Sequence, residues 1–248
     1  MSTTPPSPTS QDALVSCFWS GDTLRSRSVS ARVFTGVVDV PAPPLRLTAD
    51  WQRETTARLH LEPGSVESLS IPRSCASGRW PDYARCKDAA STWARSLGIQ
   101  DGLDACEIAL MACRGARYHH DGEQYGGAVF LNVFLNDDQH LDLHFPLTGQ
   151  RIPLSRGLAV LFDTGQPHAV IDRGASGFDV AHFPPERDCT LVFLTWELPV
   201  EQADVAQLMQ IGFDTDTTAA SQLEDGQLML RDAPATLCVN SGRWLLPD

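Results

Sequence analysis

Basic residues are scarce in this 248-residue sequence, and lysine is almost absent. Lys87 and 18 arginines stand against 31 acidic residues, which gives a formal net charge of −12. Such an excess of negative charge repels phosphate backbones and anionic lipid surfaces, so neither nucleic acid nor a membrane is expected as a partner. An active-site cation that binds a carboxylate is expected to be an arginine, whose guanidinium can make two parallel hydrogen bonds.

The sequence also lacks the patterns of secreted, zinc-finger and membrane proteins. Its seven cysteines are odd in number and include no CxxC pair, which favours free thiols in a reducing compartment. No apolar run approaches the roughly 20 residues that span a bilayer. Residues 1–12 are rich in Pro, Ser and Thr and lack the basic and apolar parts of a secretion signal. We therefore expect a disordered N-terminal tail and a cytoplasmic location.

Two segments of mixed composition flank the centre of the chain. Residues 13–102 are predicted to form an α/β part that packs on the core. Its clearest element is a helix at 81–97, where Pro81 suits the first turn and Gly98 suits a C-terminal cap. Residues 199–248 are predicted to form an appendage. Further predicted elements are strands at 31–40 and 66–71, helices at 49–59 and 200–211, and a possible hairpin within 227–246.

The central segment, residues 103–198, has a different sequence pattern. Short apolar or alternating runs follow one another, mostly separated by Gly, Asn, Asp, Pro or Gln, without long helical patterns between them. This arrangement is typical of an antiparallel sandwich or barrel and not of a parallel sheet with crossover helices. The runs lie at 107–113, 128–135, 141–145, 158–162, 169–171 and 189–198.

Six of the seven histidines fall within this central segment, and two of them begin an H-x-D triplet. The first triplet is His119-His120-Asp121 and the second is His140-Leu141-Asp142. On a strand, the outer residues of such a triplet point to the same side. Two histidines and one carboxylate on one face would leave three coordination positions of a divalent metal open, as in non-haem Fe(II) oxygenases.

The position of a third ligand distinguishes the two triplets. His168, in the turn-strand segment TGQPHAVI, lies 47 residues after Asp121 and 26 after Asp142. A jelly roll has to place about four strands between the first ligands and the third, which needs roughly 30 residues or more. Only the first triplet leaves that room. By strand alternation His120 is expected to point away from the metal, and His140 is expected at an ordinary sheet position.

The stretch from 108 to 170 resembles the prolyl-4-hydroxylase-like branch of the 2-oxoglutarate/Fe(II) dioxygenases. The matching segments are ALMACRGARYHHD, VFLND, RGLAVLFD and QPHAV, in the order and spacing of that family. The resemblance covers roughly 90 residues, to Trp196. It implies a mainly β fold with flanking helices, in which residues 103–198 form a double-stranded β-helix (jelly roll) of eight antiparallel strands.

The resemblance also implies a cofactor set and the residues that hold it. His119, Asp121 and His168 would bind Fe(II), with 2-oxoglutarate as cosubstrate and dioxygen as oxidant. Arg187, ahead of the last core strand, matches the residue that pairs with the distal carboxylate of 2-oxoglutarate, although it lies 19 residues after His168 and requires an insertion at 174–186. Arg173 is the rival candidate. Cys113 stands where many relatives carry a tyrosine.

The function that the resemblance implies is hydroxylation of an unactivated C–H bond in an amino acid, a peptide or a small natural product. One alternative is a cupin-like metalloenzyme that does not use 2-oxoglutarate. Another is a jelly-roll binding protein without catalytic activity. The sequence contains no convincing Ser/His/Asp or Cys/His nucleophile pattern, and it does not identify the substrate, because fold-level analogy does not choose between substrates. Trp51, Trp80 and Trp93 are expected to be core residues.

Overall fold

The computed structural model describes residues 14–70, 79–100, 103–214, 228–230, 233–234 and 236–245. The predicted tail at 1–12 lies outside these residues. Within them, no helix is both long and apolar enough to cross a membrane. Cys86, Cys106, Cys113, Cys189 and Cys238 are free thiols.

The described residues form sixteen strands and four α-helices. The strands are β1 (Leu14–Ser20), β2 (Thr23–Ser28), β3 (Val33–Val37), β4 (Val66–Leu69), β5 (Glu107–Cys113), β6 (Ala116–His119), β7 (Ala128–Phe134), β8 (Leu141–Phe145), β9 (Gln150–Pro153), β10 (Leu158–Asp163), β11 (His168–Asp172), β12 (Leu191–Pro199), β13 (Leu228–Leu230), β14 (Ala233–Pro234), β15 (Thr236–Leu237) and β16 (Trp244–Leu245). The helices are α1 (Leu45–Arg53), extended by a π-helical turn at Glu54–Arg58, α2 (Tyr83–Ser96), α3 (Gly122–Tyr125) and α4 (Ala203–Met209).

Strands β5 to β12 form two antiparallel sheets, which confirms the predicted jelly roll of eight strands. The larger sheet has the order β3-β10-β7-β12-β5-β4, and the smaller has the order β6-β11-β8-β9. The chain passes repeatedly from one sheet to the other, as a double-stranded β-helix requires. Strands β3 and β4, from before residue 103, extend the larger sheet at both edges.

Alternation along the strands of the larger sheet creates two separate cores. On β7, Val129, Leu131 and Val133 belong to the core between the sheet and the helices. Phe130 and Phe134 belong to the second core, inside the jelly roll. Because successive side chains of a strand point to opposite faces, one apolar run supplies both cores. Each fully buried aliphatic or aromatic side chain stabilises the fold by about 1.5–3 kcal/mol.

The helical layer on the outer face of the larger sheet contains the predicted helices with small shifts. Helix α2 spans 83–96 where 81–97 was predicted, and its Ala90 and Ala94 are fully buried. Helix α1 begins at residue 45 and not at 49, directly after Pro44, which cannot donate the hydrogen bond of a helix interior. Trp51 and Trp80 pack edge to face in this core with ring centroids 5.5 Å apart.

Several strands were not predicted because their buried positions are polar or few. Strand β2 reads TLRSRS, and its fully buried residues are Ser26 and Arg27. It pairs with β1, which in turn pairs with β13. In the segment where a hairpin was predicted, β13 pairs with β14 and β15 pairs with β16, while the residues that connect β13 to β14 lie outside the described residues.

Candidate metal centre

The first triplet lies where strand β6 gives way to helix α3. Because β6 ends at His119, the expectation that Asp121 shares its strand is wrong. Asp121 instead precedes the first turn of α3. Its N–H donates to the Thr164 carbonyl at 2.8 Å, and its own carbonyl accepts the N–H of Tyr125 at 2.7 Å. These backbone bonds turn the chain so that the carboxylate faces the His119 imidazole.

His168 is the first residue of β11 and lies directly opposite His119 in the β6–β11 ladder. The turn before it is fixed by Asp163, whose carboxylate is fully buried. That carboxylate accepts two hydrogen bonds from Arg27, at 2.7 and 2.9 Å, and one from the N–H of Gly165 at 2.9 Å. A buried ion pair is stable only when its geometry is good and its remaining valences are satisfied, and both hold here. The pair therefore positions the turn that presents His168.

The two imidazoles and the carboxylate converge. The Nε2 atoms of His119 and His168 lie 3.7 and 3.5 Å from oxygens of Asp121. All three ligand atoms lie within 4.8 Å of one another. A divalent metal with bonds of about 2.0–2.2 Å to nitrogen and oxygen needs ligand atoms at such separations. The donor set of two imidazoles and one carboxylate therefore fits a mononuclear metal ion.

Backbone carbonyls fix the tautomer of both histidines. The Nδ1 atom of His119 lies 2.6 Å from the Arg117 carbonyl, and that of His168 lies 2.9 Å from the Gln166 carbonyl. A carbonyl oxygen only accepts hydrogen bonds, so each Nδ1 carries the proton and donates it. In the neutral ring, Nε2 then presents a free lone pair, as a metal-binding imidazole must.

Desolvation shapes the electrostatics of the centre. Burial lowers the pKa of His168 well below its usual range, and the neighbouring His119 adds to that shift. Burial also raises the pKa of Asp121. Asp121 retains 23% of its side-chain surface, but it lines the cavity described below. Removal from water thus opposes a charge on each group, and a bound divalent cation would compensate the carboxylate.

A cavity of about 210 Å³ opens beside the three side chains, between the two sheets. Phe162 of β10 borders it and contacts the His168 ring edge to face, with centroids 4.8 Å apart. Most of the remaining wall is apolar, from Met111, Phe134 and Phe193. The cavity therefore offers a mainly water-excluding space directly at the candidate metal ligands.

Sequence reasoning did not identify the polar residues of this cavity. Asn132, Thr195 and Glu197 lie on its larger-sheet wall, and Gln124 and Tyr125 of α3 lie beside Asp121. The sequence does show these polar residues, at alternate positions of otherwise apolar strands. Asn132 interrupts the otherwise apolar run AVFLNVF, and Thr195 and Glu197 alternate along LVFLTWELP. Polar residues at alternate positions of a buried strand share one face, which marks a lined cavity or a polar network.

Neither predicted cosubstrate arginine lines the cavity. Arg187 is held by the Asp172 carboxylate at 2.7 Å and by the Gln139 carbonyl at 2.8 Å. Arg173 binds Asp138 through both terminal nitrogens at 2.8 Å. Among the cavity-lining residues that the structure describes, the charged or titratable groups are the candidate ligands, Tyr125, Cys113 and the acidic Glu197. The positions of Arg187 and Arg173 thus give no support to a role in binding 2-oxoglutarate.

The second triplet is not part of the cavity. His140 has a φ of +64° in the loop before β8, so its predicted sheet position is wrong. Asp142 is buried on β8, where it accepts a hydrogen bond from Arg173 Nε at 2.9 Å and lies 3.6 Å from Arg151. His144, on the same strand, bonds through Nδ1 to the Tyr118 hydroxyl at 2.6 Å. His120, as predicted, is not among the residues that line the cavity.

The proteins found to be similar to this chain are solved structures. No family model matches the sequence, and no curated protein matches it. The chain is similar to the viral collagen prolyl hydroxylase vCPH from Paramecium Bursaria Chlorella virus-1, with 8% identity and a TM-score of 0.40, over 66% of this chain and 93% of that one. It is also similar to a Pseudomonas putida prolyl-4-hydroxylase, with 18% identity and a TM-score of 0.37, over 67% and 92%.

A third similar structure is the non-haem α-ketoglutarate-dependent carbocyclase SnoK from nogalamycin biosynthesis. Identity is 9% and the TM-score is 0.39, over 84% of this chain and 90% of that one. At these scores the chemistry of the site rests on the residues of this chain.

Proposed function

We propose that this chain is an Fe(II)-dependent oxygenase that oxidises a C–H bond of a small organic molecule or peptide. The sequence resemblance implies 2-oxoglutarate as its cosubstrate. One observation carries the metal assignment. Two imidazoles, each with Nδ1 bonded to a backbone carbonyl, direct Nε2 toward the same carboxylate at 3.7 and 3.5 Å. A three-ligand site with open positions is the arrangement of non-haem Fe(II) oxygenases, and bound iron would supply dioxygen activation.

The protein groups around the candidate ligands orient them and exclude water. The Arg117 and Gln166 carbonyls hold the imidazole rings in the tautomer that a metal needs. The Asp121 backbone is fixed by Thr164, so the carboxylate keeps its direction. Phe162 covers one face of the site, beside His168. Groups that are already oriented lose little entropy when a substrate is bound, which is what catalysis by positioning requires.

The cosubstrate assignment rests on the sequence resemblance. The fit of this cavity to 2-oxoglutarate is poor among the residues described, because its lining offers neutral groups such as Asn132 and Thr195, and an acid, but no arginine or lysine. A buried carboxylate without a cationic partner is costly. This observation favours a second candidate, a jelly-roll metalloenzyme that works without 2-oxoglutarate.

Oxygen consumption and succinate release by the Fe(II)-loaded full chain distinguish the two candidates. Succinate that forms only with 2-oxoglutarate, and that is lost in His168→Ala, supports the first candidate. Oxygen consumption with an organic substrate that does not depend on 2-oxoglutarate supports the second. If the chain does not bind Fe(II) under anaerobic conditions, both proposals fail and a non-catalytic binding protein remains.

The same assay examines the two arginines. Because Arg187 and Arg173 are held by carboxylates outside the cavity lining, we expect Arg187→Ala and Arg173→Ala to leave the KM for 2-oxoglutarate within about twofold. Loss of a charge-assisted contact to the cosubstrate would instead raise the KM by roughly tenfold or more. A tenfold effect in either variant would restore the assignment made from the sequence.

A further inference from the structure

The wall of the cavity on the larger sheet is arranged in rows that the strand register defines. One row brings Phe134 of β7 beside Phe193 of β12 and Met111 of β5. The next row pairs Asn132 with Thr195, and the row after it pairs Glu197 with Glu107. Residues opposite one another in an antiparallel pair share a face. The wall therefore changes from aromatic and aliphatic, through neutral polar, to a row in which the two glutamates stand beside Phe130 of β7.

Two polar atoms of the middle row have no partner. Asn132 is 7% exposed and Thr195 is 6% exposed, and both line the cavity. Among the residues described, Asn132 Oδ1 and Thr195 Oγ1 are buried and make no hydrogen bond. Burying such an atom unpaired costs about 1–3 kcal/mol. Asn132 Oδ1 can only accept a hydrogen bond, whereas the Thr195 hydroxyl can donate or accept one, so the middle row fits a ligand that brings polar groups of its own.

The acidic row lies where the cavity adjoins a second depression. Glu197 lines the cavity and also an adjoining depression, which Glu107, Gln124 and Tyr125 border. Burial raises the pKa of Glu197, and the like charge of Glu107 contributes to the shift. Burial raises the pKa of Tyr125 as well, and both Glu197 and Asp121 add to it. Tyr125 lines both the cavity and the adjoining depression.

The two glutamates lack the cation that such a pair normally finds. In the part of the chain that the structure describes, no arginine or lysine forms an ion pair with either of them, whereas Asp142 and Asp163 each have arginine partners. Like charges directly opposite one another on neighbouring strands destabilise a sheet. A positively charged ligand bound beside both carboxylates would offset this repulsion, so the arrangement favours a cationic ligand.

We infer that the cavity binds a small amphipathic amine, with its ammonium group at Glu197 and Glu107 and its apolar part toward Phe134, Phe193 and Met111. Donor groups between these ends would reach Asn132 and Thr195. The inference builds on the proposed function in making this amine the substrate of the oxygenase, because the cavity is the one that the candidate metal ligands face. The net charge of −12 also draws cations toward the protein.

Matched probes test the charge preference directly. Binding of 2-phenylethylamine, 2-phenylethanol and 3-phenylpropanoate to the full chain is measured by isothermal titration calorimetry. The protein is used metal-free and loaded with Mn(II) in place of iron, so that no turnover occurs. We expect the amine to bind at least about tenfold more tightly than the alcohol, since a charge-assisted contact is added, and the carboxylate to bind least.

Glutamate-to-glutamine substitutions show which carboxylates bind the amine. Glu197→Gln keeps the shape of the side chain and should weaken amine binding by roughly tenfold or more, while binding of the alcohol stays unchanged. Glu186→Gln, at an exposed position outside the cavity lining, makes the same change in net charge and should have no effect. Glu107→Gln, at the more exposed carboxylate, should give a smaller loss. Thermal melts verify that each variant is folded. If Glu197→Gln does not fold, the amine affinity of Glu107→Gln and the affinities of the wild-type protein for the three probes show whether the cavity prefers an amine.

Three results would overturn the inference. These are failure of the amine to bind at millimolar concentration, equal affinities of amine and alcohol, and unchanged amine affinity in a folded Glu197→Gln protein. The binding assay does not depend on catalysis. Amine binding by metal-free protein, in a chain that does not take up Fe(II), would leave the amine site standing and remove the oxygenase. Iron-dependent oxidation without a preference for the amine would support the oxygenase and contradict the amine site.

Discussion

The two H-x-D triplets have the same local pattern but opposite environments. In the first triplet, the Asp121 carboxylate has two imidazole nitrogens within 3.7 Å. In the second, the Asp142 carboxylate has two guanidinium groups within 3.6 Å, those of Arg151 and Arg173. A carboxylate already paired with arginine is a structural element, whereas one facing two free imidazole lone pairs can bind a metal.

Backbone conformation separates the triplets as well. His119 is the last residue of a strand and pairs with His168 across the ladder, while His140 has a left-handed backbone in a loop. The Nδ1 of His119 is bonded to a carbonyl two residues before it, which leaves Nε2 for the cavity. The tripeptide alone therefore does not define a metal site. What defines it is which groups the carboxylate and the imidazole contact in the folded chain.

The largest expected difference between the triplets is in metal affinity. Loss of a residue that merely orients a ligand typically costs 10–100-fold in affinity, so His168→Ala and Asp121→Ala should each cost more than about a hundredfold. Anaerobic titration of the metal-free protein with Fe(II), or with Co(II) followed by its absorption bands, measures this. Metal affinity within threefold of wild type in His168→Ala would contradict the assignment.

Loss of the second carboxylate should lower the stability of the protein and leave its metal affinity unchanged. Asp142→Asn removes a buried charge that faces Arg173 and Arg151, so we expect a loss of about 1–3 kcal/mol in the free energy of unfolding. Metal affinity should be retained. Urea unfolding monitored by tryptophan fluorescence gives the first quantity and the titration above gives the second. Loss of metal binding at unchanged stability would show that the roles of the triplets had been confused.

The matching substitution in the first triplet sharpens the contrast. The raised pKa of Asp121 means that its charged form is disfavoured in the folded chain. This group therefore lowers stability at neutral pH. The cost shrinks as pH falls through the folded pKa and is gone only below the unfolded pKa of about 3.9. Metal-free Asp121→Asn should be as stable as wild type or up to about 1 kcal/mol more stable. A clear destabilisation of the metal-free protein would refute this account.

Acid sensitivity should reside near the second triplet. The Arg173 hydrogen bonds lower the pKa of Asp138, with help from the N–H of His140. A carboxyl group with a depressed folded pKa adds stability above its unfolded pKa of about 3.9, and this stability is lost as pH falls through the folded pKa. Asp138→Asn should therefore flatten the acid limb of the stability curve below about pH 4. Urea midpoints between pH 3 and pH 7 check this, with Asp137→Asn as a neighbouring control.

The smallest effect is expected at His140. Asparagine tolerates the left-handed backbone that residue 140 adopts, so His140→Asn removes the imidazole without added strain. Stability should stay within about 0.5 kcal/mol of wild type, and metal affinity should not change. A large loss of metal affinity in this variant would mean that the second triplet takes part in the site after all.

Local pattern was sufficient for much of the jelly roll. The alternating and apolar runs at 107–113, 128–135 and 189–198 became β5, β7 and β12, because pleating sends successive side chains to opposite faces whatever the partner strand is. The β2 strand and the Arg27–Asp163 pair were not foreseen. The two residues of that pair are 136 positions apart, and nothing in a local window connects a buried arginine to its carboxylate.

The sequence by itself predicted a mainly β fold, from the short alternating runs of residues 103–198, and it singled out His119, Asp121 and His168, which the structure brings together. Only the tertiary structure decided which charges are already paired. It placed Arg173 and Arg187 on carboxylates outside the cavity lining, and it brought Asn132, Thr195 and Glu197 to the cavity wall. Hydrogen bonds and ion pairs join residues far apart in the chain, and their partners are chosen by folding and not by local periodicity.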